Sequence, residues 1–133
     1  MSQRTTSISP LLNVHDGAAA IDFYQRAFGA TVLSQTPPDS GSVVARLAID
    51  GADFWVADES LPHGNPSPRT LNGSTVRIII ETGDPDGVTA RAVAAGATLI
   101  VAVADMDYGW RMGRVADPFG HHWEIGRPLQ PAP

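Results

Sequence analysis

FGATVL (residues 28–33) and AGATLI (residues 95–100) are nearly one phrase written twice in a chain of 133 residues. In both copies a glycine follows a helix-forming run, and a strand-forming run follows the glycine. The first copy is preceded by AAAIDFYQRAF (18–28), which has helical periodicity. Ile21, Tyr24 (or Gln25) and Phe28 fall on one stripe, with Asp22, Gln25 and Arg26 around it. Phe23, Tyr24 and Phe28 have the spacing of core residues. Asp16 is placed to accept hydrogen bonds from the first free amides of this helix, and Gly29 to end it. Ahead of the second copy, Gly87–Ala95 is an alanine-rich helix, closed by Gly96.

The halves continue in parallel. In the first, Ile8–Val14 reads as a strand ahead of the helix. Ala30–Thr36, Ser42–Asp50 and Ala52–Asp58 follow as strands, with a turn at Pro37–Gly41 and a hairpin signal at Asp50-Gly51. In the second, Ser74–Thr82 is a strand rich in β-branched residues, and Gly83–Asp86 is a turn and cap. Ala97–Val103, Gly109–Ala116 and His121–Arg127 follow as strands, with a loop at Asp105–Tyr108 and a turn at Asp117–Gly120. Each half therefore reads β-α-β-β-β. Between them, Glu59–Gly73 holds Pro62, Pro66, Pro68, Gly64 and Asn65 without any period, and reads as a linker or mobile loop. Asp58, Glu59 and His63 beside it read as solvated. The tail PLQPAP ends the chain.

A repeat of this kind sets the architecture. The expectation is one α+β domain over residues 1–133, with module one at about 7–58, the linker at 59–73 and module two at about 74–127. One module cannot bury both faces of its sheet. Two modules side by side would make one curved sheet, with helices on its outer, convex face and a cavity on the concave one.

Composition narrows the function classes. A hydrophobic content of 43% and a charged content of 17% suit a globular chain. The net charge of −5 and the lack of any basic block argue against nucleic acid and anionic membrane as partners. No apolar run is long enough to span a bilayer, and the start MSQRTTSIS lacks a signal-peptide core, so a cytoplasmic location is expected. The absence of cysteine excludes disulfides, thiolate zinc sites and a cysteine nucleophile. No Ser-His-Asp order, phosphate loop or Cys/His cluster is present.

The organisation from Ser9 to Arg127, with IDFYQRAFGA (21–30) and GWRMGRVADPFGHHWEI (109–125), resembles the vicinal oxygen chelate superfamily. This is the glyoxalase, bleomycin-resistance and extradiol-dioxygenase group, and within it the segments look most like the PhnB-like branch. The resemblance implies two βαβββ modules forming a cupped mixed sheet, commonly in a homodimer whose cups are completed across the interface. It also implies one divalent metal with four ligands, on the first and last strands of each module. Such a metal chelates neighbouring substrate oxygens and stabilises an oxyanion.

Carried over position by position, the resemblance assigns those four places to Ser9, Trp55, Arg77 (or Val76, with one more residue in the turn) and Glu124. Only Glu124 is a good ligand. Serine is poor, an indole N–H cannot bind a metal, and a fixed cation repels one. The expectation is no cofactor, with a divalent metal on Glu124, His122 and Asp53 as the off-pattern possibility.

Strand alternation puts His122 and Glu124 on one face of the last strand, with His121, Trp123 and Ile125 on the other. Asp53 and Trp55 then face the cavity on the matching strand, and His122 is expected to hydrogen-bond Asp53 across the sheet. Arg77 opposite Glu124 reads either as an anion- or carbonyl-binding pair or as a structural ion pair. Trp55 and Trp110 are candidate apolar walls, with Trp110 and Tyr108 beside a loop over the cup; both could instead pack at a dimer interface. Trp123 reads as core, against the aromatic stripe of the first helix. Arg111 and Arg114 fall on opposite faces of one strand.

The expected ligand-binding set is thus Ser9, Asp53, Trp55, Arg77, Trp110, His122 and Glu124, with Glu124 the best catalytic candidate if there is chemistry. The favoured reading is a metal-independent protein, leaning away from an enzyme, that binds or sequesters a small organic ligand. The alternatives are a metal-dependent lyase, isomerase or dioxygenase with unusual ligands, and a dimeric protein with a collapsed cup.

Overall fold

A computed structural model describes residues 5–37 and 39–130. Residues 1–4 of the polar N-terminus, Pro38 of the 37–41 turn and residues 131–133 of the tail lie outside the described residues. The first module runs β1 (Leu11–Val14), α1 (Gly17–Phe28), β2 (Thr31–Gln35), β3 (Val44–Ile49) and β4 (Ala52–Asp58). The short helix α2 (Pro68–Leu71) lies between the modules. The second module runs β5 (Arg77–Glu81), α3 (Pro85–Ala95), β6 (Thr98–Asp105), β7 (Trp110–Ala116) and β8 (His122–Pro128). The β-α-β-β-β repeat is present in both halves. No helix among the described residues is long and apolar enough to cross a membrane.

Local chemistry places the ends. Asp16 accepts from the amide of Ala19 at 3.1 Å, and Gly29 closes α1 at φ 67°. Asp84 accepts from Gly87, and Pro85 takes the first helical position, where its missing N–H costs nothing. For that reason α3 starts two residues before the expected Gly87. Asp50 and Gly51 both have positive φ, 48° and 82°, the geometry of a two-residue hairpin turn. That turn pairs Ile49 with Ala52, which sets Arg46 directly opposite Trp55.

The strands form two four-stranded sheets, ordered β1-β4-β3-β2 and β5-β8-β7-β6. Each is mixed, because β1 and β5 run parallel to β4 and β8. The expected single curved sheet is therefore two ladders. Where they adjoin, a cavity of about 840 Å³ is lined by Leu11, Leu12, Pro66, Val76, Ile78 and His121.

Both long helices pack on one face of their sheets and against each other. Arg26 of α1 donates to the carbonyl of Ala95 at the end of α3, and Arg91 of α3 donates to the carbonyl of Arg26. Each helix thus satisfies a free carbonyl of the other. Beneath them lies an aromatic core that spans the modules. The Trp123 ring is 4.8 Å from Phe28, 5.4 Å from Tyr24 and 5.5 Å from Phe54, centre to centre. Trp123 is fully buried, as its strand alternation requires.

Asp117, at the start of the DPFG turn, is a buried carboxylate with four donors. Tyr24 Oη donates at 2.5 Å and Trp123 Nε1 at 2.9 Å to one oxygen; the amides of Phe119 and His121 donate to the other. Burial, then the charge of Asp117, raises the Tyr24 phenol well above its ordinary value.

The linker carries structure of its own. A 3₁₀ turn covers Leu61–His63, and Ser60 and Asn65 form an isolated bridge. Glu59 accepts from the Thr70 hydroxyl and the Ser67 amide, and those bonds, in that order, hold its carboxyl below the ordinary value. Asp58 accepts from the amides of Gly17 and Val43, fastening the start of α1 to β3. Asp58 and Glu59 are therefore structural caps rather than free solvated charges. Their role was hidden because most of the partners are backbone amides, which leave no mark on side-chain patterning.

Candidate functional site

The helices cover one face of each sheet, and the expected site residues lie on the other. Pairing registers show how. On the first sheet, Arg46 stands opposite Trp55 and Ala48 opposite Asp53. On the second, Arg114 stands opposite Glu124 and Ala116 opposite His122, with Arg77 beside His122 on β5. Directly paired residues share a face. Phe54 and Val56, Trp123 and Ile125 alternate with these residues and are buried in the core.

On the first face Asp53 is the hub. Arg46 Nε donates to its Oδ2 at 2.6 Å, a second nitrogen of Arg46 reaches the same oxygen, and Ser9 Oγ donates to Oδ1 at 3.1 Å. The Arg46 guanidinium also lies over Trp55, 5.4 Å from the ring centre. The arginine, above all, holds the Asp53 carboxyl below its ordinary value. The expected His122–Asp53 hydrogen bond does not form. Asp53 is taken by Arg46 of its own sheet and by Ser9 from the segment before β1. His122 instead lines a cavity of about 630 Å³ together with His15, Arg69 and Ser74.

On the second face Glu124 is the hub. It is nearly buried, 8% exposed, and one carboxylate oxygen, Oε1, meets two arginines. Arg114 Nη2 donates to it at 3.1 Å, and Arg77 Nη1 lies at 3.0 Å. Beside them is a cavity of about 360 Å³, walled by Val101, Met106, Tyr108 and Met112. Tyr108 Oη donates to Met112 Sδ at 3.4 Å. Trp110 lies on the same open face but opposite Pro128, at the far end of the β7–β8 ladder. Arg111 faces the other way, and both sides of its guanidinium are occupied by Asp86 (2.7 Å) and Asp105 (2.9 Å).

The structure thus gathers Asp53 and Trp55 on one sheet, with Ser9 reaching Asp53 from the segment before β1, and Arg77, His122 and Glu124 on the other. Arg46 and Arg114, the partners of Asp53 and Glu124, were not among the expected residues. A signal existed: counting back through the Asp50-Gly51 turn sets Arg46 opposite Trp55. Counting through the DPFG turn sets Arg114 opposite Glu124.

A divalent metal does not fit these donors. Ser9 donates its hydroxyl to Asp53, Trp55 offers no lone pair, Arg77 is a cation, and Glu124 already serves two guanidiniums. Among the described residues no three His, Asp or Glu side chains gather as a metal site would require. The off-pattern set of Asp53, His122 and Glu124 is split between the two sheets.

The sequence profile described as the Glyoxalase/Bleomycin resistance protein/Dioxygenase superfamily matches residues 6–125. The chain belongs to this superfamily. Two mycobacterial relatives are 43% identical over 129 residues. These are Mb0911c of Mycobacterium bovis and Rv0887c of Mycobacterium tuberculosis, both named as uncharacterized proteins. The match covers 93% of this chain, with 84% of the first relative and 75% of the second. Among solved structures, the At5g48480 gene product of Arabidopsis thaliana superposes with a TM-score of 0.74 at 29% identity, covering 93% of this chain and all of that one. TioX from Micromonospora sp. ML1 superposes with a TM-score of 0.72 at 27% identity, covering 94% of this chain and all of TioX. TnmS3, described as an antibiotic binding protein from Streptomyces sp. CB03234, shares the fold at a TM-score of 0.67 and 24% identity, over 95% of this chain and 99% of TnmS3.

Proposed function

We propose that this superfamily member binds a small organic ligand without a divalent metal, in a cup completed by a second copy of the chain. The observation that carries the reading is Glu124. It holds the one metal-ligand position of four with a suitable residue, and two arginines neutralise it there. A carboxylate in that setting has its charge compensated by the protein, so a metal would have to displace a guanidinium. What remains is a polar hub, apolar walls and an aromatic platform at Trp55, the ordinary make-up of a small-molecule site. The fold is one on which an antibiotic binding protein, TnmS3, is built.

The open faces support a dimer. Leu11 stands beside Trp55 and Ile79 beside Glu124 in the ladders, yet Leu11 is 51% and Ile79 62% exposed. Apolar side chains next to polar hubs on an uncovered sheet face suit contact with another surface. Sedimentation velocity at micromolar concentration tests this: a dimer is expected, and Ile79→Asp should shift it toward monomer. Ligand binding is tested by thermal shift with small aromatic compounds. A ligand at a hundred times its Kd should add about 2.7 kcal/mol of stability. Shifts left unchanged by Trp55→Ala and Trp110→Ala would remove those residues from the site.

A further inference from the structure

Resting on that reading, we propose that the cavity beside Glu124 selects a small aromatic carboxylate. The charge balance comes first. Two fixed cations, Arg77 and Arg114, line the cavity with one carboxylate, Glu124. The other acids of the second sheet do not offset them there: Asp105 is engaged by Arg111, and Glu81 lies outside the lining. One positive charge is left over.

The geometry follows. Both guanidiniums contact the same oxygen of Glu124, each through one terminal nitrogen. A guanidinium carries five N–H donors in a planar fork, so each arginine keeps donors for a second carboxylate. Such a ligand would be held by charge-assisted hydrogen bonds, which are stronger than those a neutral amide could make.

The walls set the rest of the molecule. Met106, Met112, Tyr108 and Val101 present thioethers, a phenol and an aliphatic group. Sulfur and aromatic edges favour a flat ring over a polar chain. A volume of about 360 Å³ lies at the small end of ligand sites, enough for about one ring and its carboxylate.

The test is calorimetric titration of the full-length protein with benzoate and with its neutral isostere benzamide, at low and high salt. Benzoate is expected to bind about tenfold tighter than benzamide or better, a preference that weakens as salt rises. Arg77→Met, at a half-exposed residue, should remove the preference, bringing benzoate down to the affinity of benzamide for the same variant. Arg114→Met should do the same, with circular dichroism confirming that the variant is folded. Equal binding of the two probes, or benzoate binding indifferent to Arg77→Met, would overturn the carboxylate assignment while leaving a metal-free small-molecule site standing. No binding of either probe also overturns it, and metal content then judges the broader reading separately.

Discussion

The two modules put a carboxylate and an arginine on their open faces, but not in the same way. In module one the carboxylate is Asp53, at the place His122 holds in module two; in module two it is Glu124, at the place Trp55 holds in module one. Arg46 and Arg114 occupy matching places, opposite Trp55 and opposite Glu124. Sliding the carboxylate by two residues along its strand changes its surroundings. Asp53 is a quarter exposed and meets one arginine and a serine, while Glu124 is nearly buried and meets two arginines. The first cluster is electrically neutral and the second carries a surplus positive charge. One folding unit, used twice, therefore gives a neutral aromatic face and a cationic cavity.

The largest expected effects lie in the core that joins the modules. Phe54 and Trp123 are matching core residues, but Trp123 also donates to Asp117. Trp123→Ala should lower unfolding stability by about 3–5 kcal/mol, with Phe54→Ala at the lower end of that range. Asp117→Ala should cost about 3 kcal/mol, because it strands buried donors from Tyr24, Trp123 and two amides. Urea titrations measure both; a loss under 1 kcal/mol in either would break the account of the shared core.

The two carboxylate hubs should separate next. Glu124→Gln leaves two guanidiniums uncompensated and is expected to cost about 1–2 kcal/mol, less than a fully buried pair because Arg77 is half exposed. Asp53→Asn should cost less than Glu124→Gln, because solvent screens the more exposed pair. Equal costs would erase the distinction between the faces.

The smallest effect is the dependence on acid. Asp53 and Asp86 lie below the ordinary aspartate value, each chiefly through its arginine partner. Each therefore stabilises the fold above its ordinary value, and that stabilisation fades as pH falls through the lowered one. Arg46→Met removes the cause at Asp53 and Arg111→Met the cause at Asp86. The stability gap between wild type and either variant should be full at neutral pH and shrink below about pH 4. A gap that is constant with pH would mean that the arginines act by packing alone.

Much of the fold was legible because its signals are local. Asp16 and Gly29 mark the ends of α1, Asp50-Gly51 makes the hairpin, and FGATVL against AGATLI reveals the repeat. Trp123 was legible as core from alternation alone. Partner choice was not. Asp53 offered itself to His122 by proximity of type, but the strand register delivered Arg46, whose fixed charge and planar fork make the stronger bond. The single curved sheet was expected from the repeat. How two sheet edges meet depends on long-range packing of α1 on α3, through Arg26 and Arg91, which no local pattern encodes.

The central claim is that arginines, not a metal, neutralise Glu124. Elemental analysis of the protein purified without chelator, alongside Glu124→Ala, tests it most directly. The expected result is metal far below one equivalent in both proteins. One equivalent of zinc, nickel, manganese or iron in the wild type, lost in Glu124→Ala, would contradict it.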